Sequence, residues 1–333
     1  MAGPDPAVAA LRWAVRQDLA DLPNQALVLV ACSGGPDSLA LAAATAFEAP
    51  RLELRAGAVC LDHSLLPGSA AVTQAAQTSC SNLGLSPVIG SSLGLSQGSN
   101  LEARARQARY AALEVAAKQT GAKAILLGHT LDDQAETVLL ALGRGAGQTA
   151  LAGMAPRRGL LRRPLLAITR SQTVQACQAQ GLVPWLDPTN QADGPLYSAR
   201  AQVRHKVLPE LEKALGGGVA AALARTAQQV SNDLAFLDQA AAALLTEVSQ
   251  VANPNRLDAQ ALARAHPALR HRALKLFAHR LGADPASLTA AHIKALDSLV
   301  SDWHGQGPAS LPGGLQVGRE CGKLEALPRK NKE

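Results

Sequence analysis

The chain predicts an α/β fold, a parallel sheet with crossover helices, followed by a smaller, mainly helical C-terminal domain. Three observations carry this. Up to residue 181, short apolar runs alternate with helical stretches, the order that builds a parallel sheet. Of 333 residues, 47% are hydrophobic and 17% charged, which suits two packed cores and not a disordered chain. After Gly216-Gly217-Gly218 the strand signals stop and Ala/Leu-rich helical stretches take over. This places a first domain at 1–213 and a second at 219–333.

The elements follow in order. Residues 26–31, ALVLVA, form a buried strand, being short, continuous and apolar. A helical run, LALAAATAF, begins at Leu39. Residues 54–61 end in AVCL as a second strand, and 69–83 form a helix closed by Gly84. Val88-Ile89 marks a third strand. Asn100 caps a helix that runs to Thr120 and stops at Gly121. Residues 122–128, AKAILLG, form a fourth strand, with helices at 132–142 and 169–180. In the second domain, helices are predicted at 219–249, 258–281 and 286–300, then a hairpin around Gly313-Gly314.

Composition excludes several classes. No apolar run approaches about 18 residues, so no membrane span is expected. The N-terminus has no basic start followed by an apolar core, so no secretory signal is expected. The five cysteines, Cys32, Cys60, Cys80, Cys177 and Cys321, form no CxxC pair, which argues against a structural zinc, a cluster or a redox dithiol. Scattered thiols of odd number suit a cytoplasmic protein. The net charge of +6 and pI of about 9.3 permit a polyanionic partner. Aromatics are only 2%, so few platforms exist for stacking bases.

Between the first strand and the helix after it lies Ser33-Gly34-Gly35-Pro36-Asp37-Ser38. Two glycines let the backbone approach a ligand closely. The helix start offers free N–H groups at a positive dipole end, which suits phosphate or pyrophosphate. Ser33 and Ser38 add hydroxyl donors. Asp37 would repel bare phosphate, so its presence suggests a bridging Mg²⁺. GxxxxGK[ST] is absent, which disfavours γ-phosphate transfer.

Four further stretches bear on the chemistry. Leu61-Asp62-His63-Ser64-Leu65 closes the second strand at the sheet edge where ligands sit; His63 there either meets a nucleotide or is a turn residue. In NLEARARQARY, residues 100–110, Arg106 and Arg109 share a helix face, while Glu102 is spaced to pair with Arg106. In GHTLDDQAET, residues 128–137, Thr130 suits a cap and Asp132 and Asp133 suit the helix dipole. Asp133 and Glu136 also share a face and repel unless a cation binds, either Mg²⁺ or a substrate ammonium; the pair could then take the amine's proton. Lastly, Arg157, Arg158, Arg162, Arg163 and Arg170 lie in an acid-free stretch, which is either an electrostatic footprint for RNA or a solvated loop. Arg200, Arg204 and Lys206 form a second, smaller cluster.

SGGPDS resembles the SGGxDS signature of the PP-loop ATP pyrophosphatases. Together with LDHSL, NLEARARQARY, GHTLDDQAETVLLALGRGAG, RRPLL at 162–166, and WLDPTN at 185–190 leading to HKVLPEL, the ordered set resembles the tRNA(Ile)-lysidine synthetase family over about residues 27–210. Two positions depart from that pattern: Leu66-Pro67 stands where an Arg is common, and Arg200-Ala201 where Arg-Asn is usual.

The resemblance implies a Rossmann-like parallel sheet of the PP-loop, adenine nucleotide alpha hydrolase-like kind. It implies a ligase that uses ATP and Mg²⁺ to adenylate the first-anticodon-position cytidine of an isoleucine tRNA with a CAU anticodon. L-lysine then displaces AMP and lysidine forms. It further implies that Ser33, Gly34, Gly35, Pro36, Asp37, Ser38 and His63 bind ATP, with Asp37 on Mg²⁺ and in adenylation. Asp133 and Glu136 would grip the lysine and act in catalysis, with Arg106 in the same pocket and His129 and Asp132 as second choices. Arg157, Arg158, Arg162, Arg163, Arg200 and Arg204 would meet tRNA. The oligomeric state stays open, a homodimer included. The rivals are a PP-loop tRNA thiolase, which would need a persulfide cysteine or a cluster, and a PP-loop amide synthetase acting on a small molecule.

Overall fold

The computed structural model describes residues 3–62, 68–94, 101–186 and 198–327. They fold as two compact units, residues 1–231 and 232–333. The division falls inside a long helix, whereas the sequence reading puts it at the glycines 216–218.

The first unit is built on a six-stranded sheet of order β3-β2-β1-β4-β6-β5. Its elements are α1 (Pro6–Leu19), β1 (Leu27–Ala31), α2 (Pro36–Glu48), β2 (Arg55–Asp62), α3 (Ser69–Asn82), β3 (Val88–Ser92), α4 (Leu101–Thr120), β4 (Ala124–Leu127), α5 (Leu131–Gly143), α6 (Gln148–Leu151), β5 (Arg157–Arg158), β6 (Leu161–Arg162), α7 (Arg170–Ala179), α8 (Ala199–Gln202) and α9 (Leu208–Leu215). All strand pairs are parallel except β5 with β6. The four predicted strands are present. The β5–β6 hairpin was not foreseen, because two-residue strands carry no periodicity.

A sheet covered on both faces explains why ALVLVA is continuously apolar. Val28 and Val30 of β1, with Ala124 and Leu126 of β4, point into one core with α1, α2 and α7. Leu27 and Leu29, with Ile125 and Leu127, point into the other with Leu113, Ala116 and Ala117 of α4. The parallel register sets Leu29 beside Gly57 and Ile125. Both cores converge on β1, whose C-terminal end carries the glycine loop.

The second unit is helical, as predicted, but its sheet is larger than a hairpin. The 30-residue α10 (Val219–Val248) crosses into it, followed by β7 (Arg256–Asp258), α11 (Ala259–Arg264), α12 (Pro267–Arg280), α13 (Ala290–Ser301), β8 (Ala309–Leu311), β9 (Leu315–Glu320) and β10 (Lys323–Ala326). The strands form an antiparallel sheet of order β7-β10-β9-β8. The predicted helix at 258–281 is two helices. Pro267 occupies the first turn of α12, where its missing N–H is harmless, and His266 caps that helix. Phe277, Leu274, Leu257, Val317 and Leu324 are fully buried in one core. Among the described residues, no helix is long and apolar enough to cross a membrane.

Leu126 is fully buried in the first core. Leu126→Ala is expected to lower stability by about 2–5 kcal/mol, measured by denaturant unfolding.

Candidate active site

The glycine loop turns directly off β1. Gly34 adopts φ +84°, a conformation that an L side chain rarely takes. Gly35 sits at the N-cap of α2 with no side-chain cap, and Pro36 opens the helix. The first N–H groups of α2 therefore lack a side-chain partner and form an anion cradle. Trp185 closes one side of the loop by donating its N–H to the Gly34 carbonyl at 2.9 Å.

The serines divide differently from the sequence expectation. Ser38 is buried. Its Oγ accepts from the Ser33 N–H at 3.1 Å and donates to the Gly35 carbonyl at 3.0 Å, so this hydroxyl shapes the loop from within. The exposed Ser33 hydroxyl lies 3.2 Å from it. Buried thiols pack beneath: Cys32 Sγ is 3.8 Å from Ser38 Oγ, and Cys177 Sγ is 3.4 Å from the Pro36 carbonyl. His63 lies outside the described residues.

Gly128, at the end of β4, packs against the loop's backbone. A Cβ there would lie 3.0 Å from the Asp37 carbonyl carbon and 3.0 Å from the Ser38 nitrogen. A side chain at this position would require the loop backbone to shift by a few tenths of an ångström.

Helix α5 begins with a capping box between Thr130 and Asp133. Asp133 Oδ2 accepts from the Thr130 N–H at 2.8 Å, which fixes the carboxylate's direction. Its Oδ1 accepts from Arg170 Nη2 at 2.9 Å. Glu136, one turn on, is fully buried. It meets Arg204 Nε at 2.7 Å, Arg170 Nη1 at 3.3 Å and Arg200 Nε at 3.3 Å. Arg170 also donates its backbone N–H to Asp132 Oδ2 at 2.7 Å and lies 3.5 Å from Asp37 Oδ2 through Nε. Thr173, one turn further along α7, donates to Asp37 Oδ1.

Three of the expected site groups have partners within the fold. Asp133 and Glu136 are not a bare acidic face, since three guanidiniums already relieve their repulsion. Arg200 and Arg204, expected to meet tRNA, pair with the carboxylates of α5, and Arg200 also donates to the Thr137 hydroxyl at 2.8 Å. Arg106 is exposed and lies over the Tyr110 ring, 5.0 Å from its centre, instead of on the acidic pair.

The arginine-rich stretch is also largely committed within the fold. Arg157 and Arg162 grip Asp21 at 2.9 and 2.6 Å and both donate to the Asp18 carbonyl. Arg162 and Arg163 are buried, and Arg163 donates to the Ala155 carbonyl at 2.7 Å. The counter-charge comes from α1 and the turn after it, about 140 residues away, so an acid-free stretch is not an unpaired one. Arg158 stays exposed, 5.7 Å from the centre of the Tyr110 ring.

Electrostatics follow from this packing. Burial pushes the Asp37 carboxyl above its ordinary range, against the pull of Thr173 and Arg170. Burial also opposes charge on Asp133, but Arg170 and the Thr130 N–H outweigh it and hold that carboxyl below its ordinary range. His129 is pushed down to about 4 by burial and by Arg163, Arg109 and Arg200, so it is neutral near pH 7. Sequence reading missed Thr173 and Gly128, and it placed Arg170 in a stretch read as either an RNA footprint or a solvated loop. The one available signal for Arg170 was the excess of acids at 132–136, which needed cations from somewhere.

Fold and loop together define a PP-loop protein, and residues 11–211 match the PP-loop domain family. Residues 257–325 match the TilS substrate binding domain. The chain is 52% identical over 332 residues to the tRNA(Ile)-lysidine synthase of Salinispora arenicola, covering 98% of each. It is 48% identical to that of Thermobifida fusca, covering 97% of this chain and 98% of that one. The Streptomyces coelicolor enzyme is 45% identical with the same coverage. The chain belongs to the tRNA(Ile)-lysidine synthase family. Among solved structures, the U34-tRNA thiolase NcsA from Methanococcus maripaludis, with its [4Fe-4S] cluster, shares the fold at a TM-score of 0.54 and 19% identity, over 67% of this chain and 79% of that one.

Two outcomes are expected. Gly128→Ala should push the loop off α5 and lower ATP-dependent turnover at least about tenfold, because small misplacements of reacting groups are costly; steady-state kinetics reads this. Arg162 draws the Asp21 carboxyl down to about 2. A depressed folded-state value contributes stability above the unfolded value near about 3.9, and this is lost as pH falls through about 2. Arg162→Gln should therefore destabilise the protein at neutral pH, and the gap to wild type should narrow between about pH 4 and pH 2 in urea titrations.

Proposed function

We propose that this protein uses ATP to join L-lysine to carbon 2 of the first-anticodon-position cytidine in an isoleucine tRNA with a CAU anticodon. The product, lysidine, switches decoding from AUG to AUA. One observation carries the reading in a chain of this family: an uncapped anion cradle and a carboxylate–guanidinium cluster stand side by side, linked through Asp37.

The two halves suit two steps. In the first, the cytidine O2 attacks the α-phosphorus of ATP and pyrophosphate leaves. The α2 N-terminus and Gly35 receive that anion through backbone N–H groups, since the Ser38 hydroxyl is committed to the loop. Asp37 would hold Mg²⁺. Among the described residues no cluster of three or more His, Cys, Asp and Glu side chains is arranged for a metal ion, but a single carboxylate fits an ion that takes its other ligands from phosphates and water. When bound, Mg²⁺ neutralises charge on the departing pyrophosphate.

In the second step, the lysine ε-amine, having given its ammonium proton to solvent water, attacks C2; the C2–N bond forms as the C2–O bond breaks and AMP leaves. Asp37, Asp133 and Glu136 face guanidiniums from Arg170, Arg200 and Arg204, and Asp132 accepts from the Arg170 backbone N–H. Asp133, held below its ordinary range, serves as charge partner to the amine and is a poor proton acceptor. Glu136, fully buried, acts through the arginines that it holds.

For tRNA, the exposed Arg106 and Arg158 beside Tyr110 offer guanidiniums and one aromatic platform. The second unit, with its match to a substrate binding domain, contributes the rest of the grip. The enzyme works in the cytoplasm.

The test is incubation with ATP, labelled lysine and transcripts of either the minor isoleucine tRNA or methionine tRNA. Label is expected on the isoleucine transcript alone; label on neither overturns the reading. Asp37→Ala should abolish pyrophosphate release. Glu136→Gln should raise the KM for lysine about 10–100-fold with a much smaller effect on pyrophosphate release.

A further inference from the structure

The cluster has one member that reaches both halves of the site. Among the described residues, the carboxylates that Arg200 and Arg204 pair with lie on α5: Arg200 meets Glu136 and Thr137, and Arg204 meets Glu136 and Asp133. Arg170 touches four carboxylates from three directions. Its Nη2 donates to Asp133 at 2.9 Å, its Nη1 to Glu136 at 3.3 Å, its Nε faces Asp37 at 3.5 Å, and its backbone N–H donates to Asp132 at 2.7 Å.

Its backbone is held as firmly as its side chain. Thr169 and Gln172 form a capping box at the start of α7. The Leu131 N–H donates to the Ile168 carbonyl at 2.9 Å, which ties the chain before α7 to the start of α5. Arg170 thus has little freedom to follow one carboxylate at the other's cost in geometry.

We propose that Arg170 is a positioning residue that couples the two half-reactions, its planar guanidinium setting the distance between Asp37 on the nucleotide side and the Asp133–Glu136 pair on the amine side. The proposal rests on the two-step reading above. A guanidinium suits the task because its donors point in fixed, coplanar directions and serve several carboxylates at once. An ammonium is a point charge that swings to one. Thr173 shares the load at the Asp37 end only.

The test separates the steps for three variants: Arg170→Gln, Arg170→Lys and Thr173→Val. Pyrophosphate release with tRNA and without lysine reads the first step, and the KM for lysine reads the second. Arg170→Gln is expected to slow the first and raise the second, each about 10–100-fold. Arg170→Lys is expected to restore one readout and not both. Thr173→Val is expected to slow pyrophosphate release while the KM for lysine changes less than about threefold.

A merely structural role would lower the active fraction, measured by burst amplitude, in all three variants and leave the KM for lysine unmoved; that result overturns the proposal. So does restoration of both readouts by lysine at position 170. Should Arg170→Gln not fold, the other two variants still decide. Wild-type protein that puts no lysine on tRNA would instead refute the function itself, so the two failures are distinguishable.

Discussion

Burying Glu136 sets the terms for the catalytic unit. A carboxylate with no solvent exposure is tolerable only if opposite charge and hydrogen bonds replace the water it has lost. Arg170, Arg200 and Arg204 supply both. They come from segments 34 to 68 residues further along the chain, so α7 and the stretch from Ser198 onward must fold back on α5. Breaking such a pair strands a charge, which typically costs about 3–5 kcal/mol. The cluster therefore acts as a latch as well as a binding surface, and the position of Asp37 beside it follows from the same latch.

The glycine loop obeys a complementary rule. Its side-chain hydroxyls are largely spent on its own shape, with Ser38 bonded to Ser33 and Gly35. What remains for a ligand is backbone N–H, which carries no net charge and cannot be moved by rotamer changes. Gly128 brings α5 into contact with that backbone. The loop thus offers main-chain donors and the cluster charged side chains, and the two meet at Asp37.

Legibility from sequence follows the range of each interaction. The four parallel strands β1 to β4, the loop and the Thr130 cap were readable because their signals lie within a few residues. The β5–β6 hairpin and β7 of the second unit were not, because strands of two or three residues owe their existence to their neighbours. The arginines show the same divide. Arg157 and Arg162 sit in a stretch without acids, yet Asp18 and Asp21 neutralise them from the far end of the first unit. Charge density along a chain says which groups seek partners, not where the partners are.

By itself, the sequence determined the class of fold, the anion loop, the acidic helix and the family, since all of these are written in local spacing and ordered motifs. Tertiary structure alone decided which arginines are free and which are spent. It turned Arg200 and Arg204 inward, left Arg158 exposed, and put Arg170 between Asp37 and Glu136. The physical reason is that a buried charge takes the nearest opposite charge in space, and that nearness is created only when the sheet brings distant segments to one edge.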